Sequence, residues 1–169
     1  NKHKLYRKII TAGDDITFVC NAKLAIPAVK YFLQNLGTEY SACGGIAFFN
    51  SHFPFSDAYK VAEACCESAK KRAKINTNRG NDGKIGCYLD YQVCTNISAA
   101  QLDKYREKNY VTDMGSIIYR PYYVNVDGQK VLNDKNKQYD IAKMYECMKY
   151  IQGLPRSKAK QLRDAISIG

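Results

Sequence analysis

Hydrophobic and polar positions divide the chain into short segments of two different periods. Residues 6–11 and 16–20 are runs rich in β-branched and aromatic side chains, separated by Ala12-Gly13-Asp14-Asp15. Two such runs joined across a Gly-Asp step predict a β-hairpin whose tip uses the glycine for a positive φ. After Asn21, the residues Ala25, Val29, Phe32, Leu33 and Leu36 fall at helical spacing as far as Gly37, and Pro27 sits in the first turn or kinks the start. Residues 41–49 form a short apolar run suited to a buried strand. Its paired Gly44 and Gly45 imply that something approaches the backbone closely. Residues 51–55 read as a loop, with Ser56 as the cap of the next helix. On that helix Ala58, Val61, Ala62, Cys65, Ala69 and Ala73 share one face. A polar loop over 76–84 leads to Ile85, Cys87, Leu89, Tyr91 and Val93, whose alternation predicts a half-buried strand. The order β-β-α-β-α-β, with one helix between successive later strands, is that of α/β plaits.

The rest of the chain is less regular. Ser98 is placed to cap a short helix through Tyr105, and 117–124 is strand-like, confined to an edge by Pro121. Val126-Asp127-Gly128-Gln129 reads as a second hairpin turn. Ile141, Met144, Tyr145 and Met148 make an amphipathic helix that stops at Gly153. Leu154-Pro155-Arg156-Ser157 then opens a final helix bearing Lys158, Lys160 and Arg163. There is no internal repeat and no low-complexity tract.

Charge adds a direction. The chain has 169 residues, enough for one domain or one domain with a small appendage, and 46% of them are hydrophobic, enough for a core. Its formal charge of +10 points to a polyanionic partner such as nucleic acid, nucleotide or an acidic protein surface. A basic, solvated surface is the plainer explanation of the same number. No apolar run approaches the roughly 18 residues of a membrane span, so no membrane partner is expected. The seven cysteines show no Cys-x-x-Cys spacing and fall on apolar faces, which fits reduced, buried thiols in a cytoplasmic protein rather than a zinc site. The chain begins with Asn1, only a few residues before a strand, and is expected to be a piece of a longer polypeptide.

Candidate chemistry gathers at the first hairpin. Asp14 and Asp15 are adjacent carboxylates that repel each other in a dry site and settle around a cation. Mg²⁺ commonly takes one or two protein carboxylates and completes its shell with water and phosphate. A solvated turn uses the same residue types, so the tetrapeptide alone does not decide. Lys70, Lys71, Arg72 and Lys74 crowd the end of the second helix, where they also complement its dipole.

The sequence of motifs decides more. Ala12-Gly13-Asp14-Asp15 on a hairpin, a helix, Cys43-Gly44-Gly45-Ile46, Ser51-His52-Phe53-Pro54-Phe55 and Ser68-Ala69-Lys70-Lys71-Arg72 together resemble the palm domain of the large subunit of type III CRISPR effector complexes and related bacterial proteins. Those palms are similar in turn to GGDEF-type diguanylate cyclases. The resemblance covers residues 5 to about 94. Leu154-Pro155-Arg156-Ser157-Lys158 also resembles the tail that follows such palms. The implied fold is a ferredoxin-like, GGDEF-like α+β palm with an antiparallel sheet over residues 1–95, followed by a mainly helical C-terminal extension over 96–169 with an edge strand or hairpin.

The resemblance also implies a site. In the family a Gly-Gly-Asp-Asp hairpin holds two divalent metals that bind a nucleoside triphosphate, so Asp14 and Asp15 would be catalytic metal ligands for Mg²⁺ or Mn²⁺. Such chemistry rests on positioning and charge neutralisation by the two ions. Ala12 and Gly13 would let phosphate approach the backbone, with Ala12 standing where the family has its first glycine. Lys70 matches a phosphate-contacting lysine, and Lys71 is the next candidate. The family's first strand, which carries another metal-binding aspartate, has no counterpart in 1–169. An upstream segment or a partner chain is expected to supply it, and this chain alone is expected to be inactive. Asp90 is not its substitute and is expected to pack against a basic neighbour. His52 is read as a loop residue rather than an acid or base.

The implied function is a metal-dependent nucleotidyltransferase palm that makes cyclic or linear oligonucleotides from nucleoside triphosphates, ATP above all, in CRISPR-type antiviral defence. RNA or other effector-complex subunits are the further partners. The alternative is an inactive palm retained as a nucleotide- or RNA-binding or structural module.

Overall fold

The computed structural model describes residues 5–37, 39–75, 84–94, 98–113, 115–126 and 139–168. The hairpin forms as its turn chemistry requires. Strand β1 (Tyr6–Ala12) pairs antiparallel with β2 (Asp15–Cys20), with Ala12 opposite Asp15. Gly13 has φ +61, and no described residue other than glycine has a positive φ. A glycine at the first of two loop positions is the arrangement whose twist matches the flanking strands. The pairing skips one residue between Lys8 and Ile10, a bulge at Ile9 that bends β1.

Helix α1 (Ala22–Gln34) starts where Asn21 accepts a hydrogen bond from the Lys23 amide at 3.0 Å, and the chain leaves it through Gly37 at φ +81. Pro27 lies inside the helix. Ala25 and Leu33 are buried, whereas Phe32, expected on the same face, is exposed. Strand β3 (Cys43–Phe48) and β4 (Cys87–Val93) are joined by the long helix α2 (Phe55–Ala73) and run parallel, while β7 (Tyr122–Val124) pairs antiparallel with β4. The sheet is therefore mixed, not antiparallel as expected. A helical crossover between adjacent strands returns the chain in the same direction, so the β-α-β order itself demands the parallel pair. The strand order is β3-β4-β7, which puts β7 at an edge as Pro121 predicts. Only Tyr122–Val124 of the expected 117–124 strand is extended in the sheet.

β4 is the centre, and both of its faces are buried from Cys87 to Asp90. The half-buried expectation fails because helices cover both sides. Cys87 and Leu89 pack with Ala25, Leu33, Ile46, Val124, Ile141 and Met144 on the side of α1 and of α4 (Ile141–Gln152). On the opposite side Tyr88 packs with Ala69, Ala73 and Tyr123 under α2, and Val61 and Cys65 pack with Leu102 of α3 (Leu102–Tyr110). Burial of each large side chain is worth about 1.5–3 kcal/mol, so this two-sided packing carries most of the stability. Elements on both sides of residue 95 thus share one sheet and one core.

The paired glycines explain how close the layers come. A methyl on Gly45 would stand 2.0 Å from the Ala62 carbonyl oxygen of α2, and one on Gly44 would stand 2.5 Å from Cγ1 of Val29 on α1. Gly44 and Gly45 thus admit a helix to each face of β3. The close approach anticipated at this pair is made by protein.

Several ends differ from expectation. α2 begins at Phe55 with Pro54 at the cap, because the Asp57 and Ala58 amides bond to the Pro54 carbonyl, so Ser56 lies inside the first turn. Ser98 precedes a 3₁₀ turn (Ala99–Gln101) without capping it, and α3 continues to Tyr110. A two-residue pair, β5 (Val111–Thr112) with β6 (Gly115–Ser116), follows. Asp140 caps α4 through the Ala142 amide, and α5 (Arg156–Ile168) follows Leu154-Pro155. The polar loop over 76–83 and the turn at Asp127-Gly128-Gln129 lie outside the described residues.

Candidate functional site

Asp14 occupies the turn and Asp15 opens β2, and both are exposed together with Ala12 and Gly13. Space over Gly13 is open: nothing lies within 4 Å of where a Cβ would stand. The tip therefore presents two carboxylates beside unobstructed backbone.

α2 supplies the other side. Tyr59, Glu63, Cys66 and Lys70 recur at helical spacing, on a stripe distinct from the buried Ala58, Val61, Cys65 and Ala69. This stripe lies within electrostatic reach of Asp15. The Lys70 ammonium is pushed above its ordinary pKa, first by its hydrogen bond to Glu67 at 2.8 Å, then by the neighbouring Cys66 and the Glu67 charge, with Asp15 the smallest contribution. Burial pushes the Cys66 thiol up, with Asp15 and Glu63 acting in the same direction. The Tyr59 phenol is raised chiefly by its hydrogen bond to Glu63, with Asp15 contributing. The sequence singled out Lys70 but not Tyr59, Glu63 or Cys66. Their shared helical period was the available signal.

Of the other basic residues of the cluster, one is held elsewhere. Lys71 is exposed, and the Arg72 guanidinium lies over the Tyr139 ring at 3.8 Å, where it ties the end of α2 to the segment before α4. His52 is exposed, with its backbone amide bonded to the Asn50 side chain at 3.0 Å.

Asp90 is far from solvent and takes no part at the tip. It receives two hydrogen bonds from Arg106, at 2.8 and 2.9 Å, with Arg120 3.9 Å away. Gln92 accepts from Arg120 at 3.1 Å, and the Arg120 guanidinium lies over the rings of Tyr91 and Tyr110. This is the basic neighbour expected for Asp90, met in the core between β4 and α3.

Among the described residues, no group of three or more His, Cys, Asp or Glu side chains gathers at metal-binding distance. The pair Asp14 and Asp15 matches the one or two carboxylates that Mg²⁺ commonly takes, so the donor set present suits a single hard ion bound with water and phosphate. Of the seven free cysteines, Cys65, Cys87 and Cys94 are buried and Cys147 is exposed. No described helix is long and apolar enough to cross a membrane.

No protein-family model matches the chain, and a search of curated proteins finds no relative.

Proposed function

We propose that this chain is the nucleotide-binding part of a metal-dependent nucleotidyltransferase palm. The observation that carries the reading is the exposure of the two hairpin carboxylates, Asp14 and Asp15, together with an exposed Lys70 at the far end of α2 that feels the charge of Asp15. Asp14 and Asp15 would hold Mg²⁺ or Mn²⁺, and Lys70, aided by Lys71, would meet the phosphates of a nucleoside triphosphate such as ATP. A bound divalent ion neutralises phosphate charge and orients the triphosphate. Ala12 and Gly13 leave the backbone open to the phosphates. The setting is the synthesis of cyclic or linear oligonucleotides in CRISPR-type antiviral defence, by analogy with the palm that the motif order resembles.

The same reading assigns a place to a further strand. Among the described residues β3 pairs only with β4, and β1 and β2 pair only with each other. A strand from an upstream segment or from a partner chain would join them and bring another acidic residue close to Asp14. Without it, the chain would bind nucleotide and not turn it over, which is also the behaviour of the alternative, a binding module.

Mn²⁺ binding followed by water-proton relaxation tests the site. Binding by the natural chain and its loss in Asp14→Asn/Asp15→Asn is the expected result. Unchanged Mn²⁺ binding in that variant would remove the hairpin from the metal site.

A further inference from the structure

The C-terminal helices have a feature that the nucleotide reading does not use. α4 is anchored by the buried Ile141 and Met144, but from Glu146 to Ile166 every residue is exposed except Ala159, which is half-buried. The uncovered residues include large apolar ones: Met148 at 42%, Ile151 at 49%, Leu154 at 41%, Leu162 at 45% and Ile166 at 42% exposed. On α5, Ala159, Leu162 and Ile166 fall at i, i+3 and i+7 and make one stripe. Arg156, Lys160 and Arg163 fall at i, i+4 and i+7 and make a second stripe beside it. A helix of this length is marginal in water by itself, so its stability calls for a covered apolar face.

The side chains narrow the choice of cover. Phosphate would use the basic stripe and leave the apolar one in water. A bilayer surface calls for one continuous, larger apolar face, and α5 offers only Ala159, Leu162 and Ile166 at described positions, the exposed aromatic of this end, Tyr150, standing apart on α4. A second copy would set a +10 chain against itself, with one basic stripe facing another. We infer that the face formed by α5 and the exposed end of α4 docks an acidic amphipathic helix of a partner protein. The apolar residues of that helix would cover Leu162 and Ile166, and its carboxylates would meet Arg156 and Lys160 at the rim, beside Arg163, which is already bonded to Asp164. Apolar anchoring with complementary flanking charge is the usual arrangement for a helix held on a helical surface.

The test uses a designed helical peptide with a leucine stripe flanked by glutamates, measured by fluorescence anisotropy against the full chain. Parallel probes are the same peptide with lysine for glutamate, a single-stranded RNA oligonucleotide, and phosphatidylserine vesicles. The acidic peptide should bind and the basic one should not. Leu162→Gln/Ile166→Gln, which keeps helix propensity, and Arg156→Glu/Lys160→Glu should each weaken binding by about tenfold or more. Circular dichroism should match the natural chain for both variants, since the altered side chains lie outside the core. Failure of the acidic peptide to bind, equal binding by the variants, or RNA or vesicle binding through these residues in place of the peptide would overturn the inference. Because none of these residues is among those assigned to the nucleotide, nucleotide binding should be unchanged in both variants.

Discussion

Asp90 of β4 and Arg106 of α3 form a two-pronged ion pair in the interior, with contacts of 2.8 and 2.9 Å and side-chain exposures of 0% and 4%. Removing Arg106 leaves the buried Asp90 with only the more distant Arg120, and removing Asp90 leaves the Arg106 guanidinium buried without its carboxylate, each at a cost of about 3–5 kcal/mol. Arg106→Ala and Asp90→Ala should therefore each lower stability by that amount in urea unfolding, and Arg106→Met/Asp90→Leu should cost less than the sum of the two. Additive losses would show that the pair is not the unit that holds α3 to the sheet.

The glycines of β3 should not tolerate alanine equally. At Gly45 the new methyl meets backbone, the Ala62 oxygen at 2.0 Å and the Cys66 nitrogen at 2.4 Å, so a layer must move. At Gly44 it meets the side chain of Val29 at 2.5 Å, which has somewhere to go. Overpacking of this kind costs about 1–3 kcal/mol, and Gly45→Ala should lie at or above the top of that range with Gly44→Ala below it. Thermal unfolding midpoints of the two variants give the comparison, and the reverse order would contradict the layer geometry.

Thiol chemistry should separate the cysteines. Burial pushes Cys43 and Cys65 up to about 12, and it also raises Cys87 and Cys94. Since the thiolate is the reactive form, the exposed Cys147 should label first with a disulfide reagent at pH 8, and Cys65 and Cys87 only after unfolding. The linkage has a definite sign. A raised folded pKa gives stability that is complete below the unfolded value, 9.0 for these thiols, and is lost as pH rises toward about 12. The urea midpoint should fall across that window. A midpoint that rises there would reverse the assignment.

Much of this was legible in the residues, and the failures have a common cause. The Gly13 turn and the alanine-rich face of α2 depend on local chemistry and appear where the pattern puts them. The direction of β3 against β4 and the double burial of β4 depend on which layers meet, and a period of two along β4 does not report a second helical layer. The same limit hid the surroundings of Tyr59, Glu63 and Cys66. They share a stripe that is readable from spacing, but which charges act on it depends on tertiary packing.

The hairpin should be less protected than the central sheet. Its outer strand is exposed throughout, and two strands with no third are marginal in water. Hydrogen exchange should be faster across β1 and β2 than across β4, which lies between two ladders. Equal protection would mean that the hairpin is held by more than its own pairing.

The central claim is that the tip of this hairpin and Lys70 hold one triphosphate. Calorimetric titration of ATP in the presence of Mg²⁺ tests it most directly, with Lys70→Ala and Lys158→Ala compared under the same ionic strength. One charge-assisted phosphate contact is worth about 1.5–3 kcal/mol, so Lys70→Ala should weaken binding at least about tenfold, Lys158→Ala should leave it unchanged, and omission of Mg²⁺ should abolish it. Equal losses at Lys70 and Lys158, or ATP binding indifferent to Mg²⁺, would show a diffuse basic surface instead of a site.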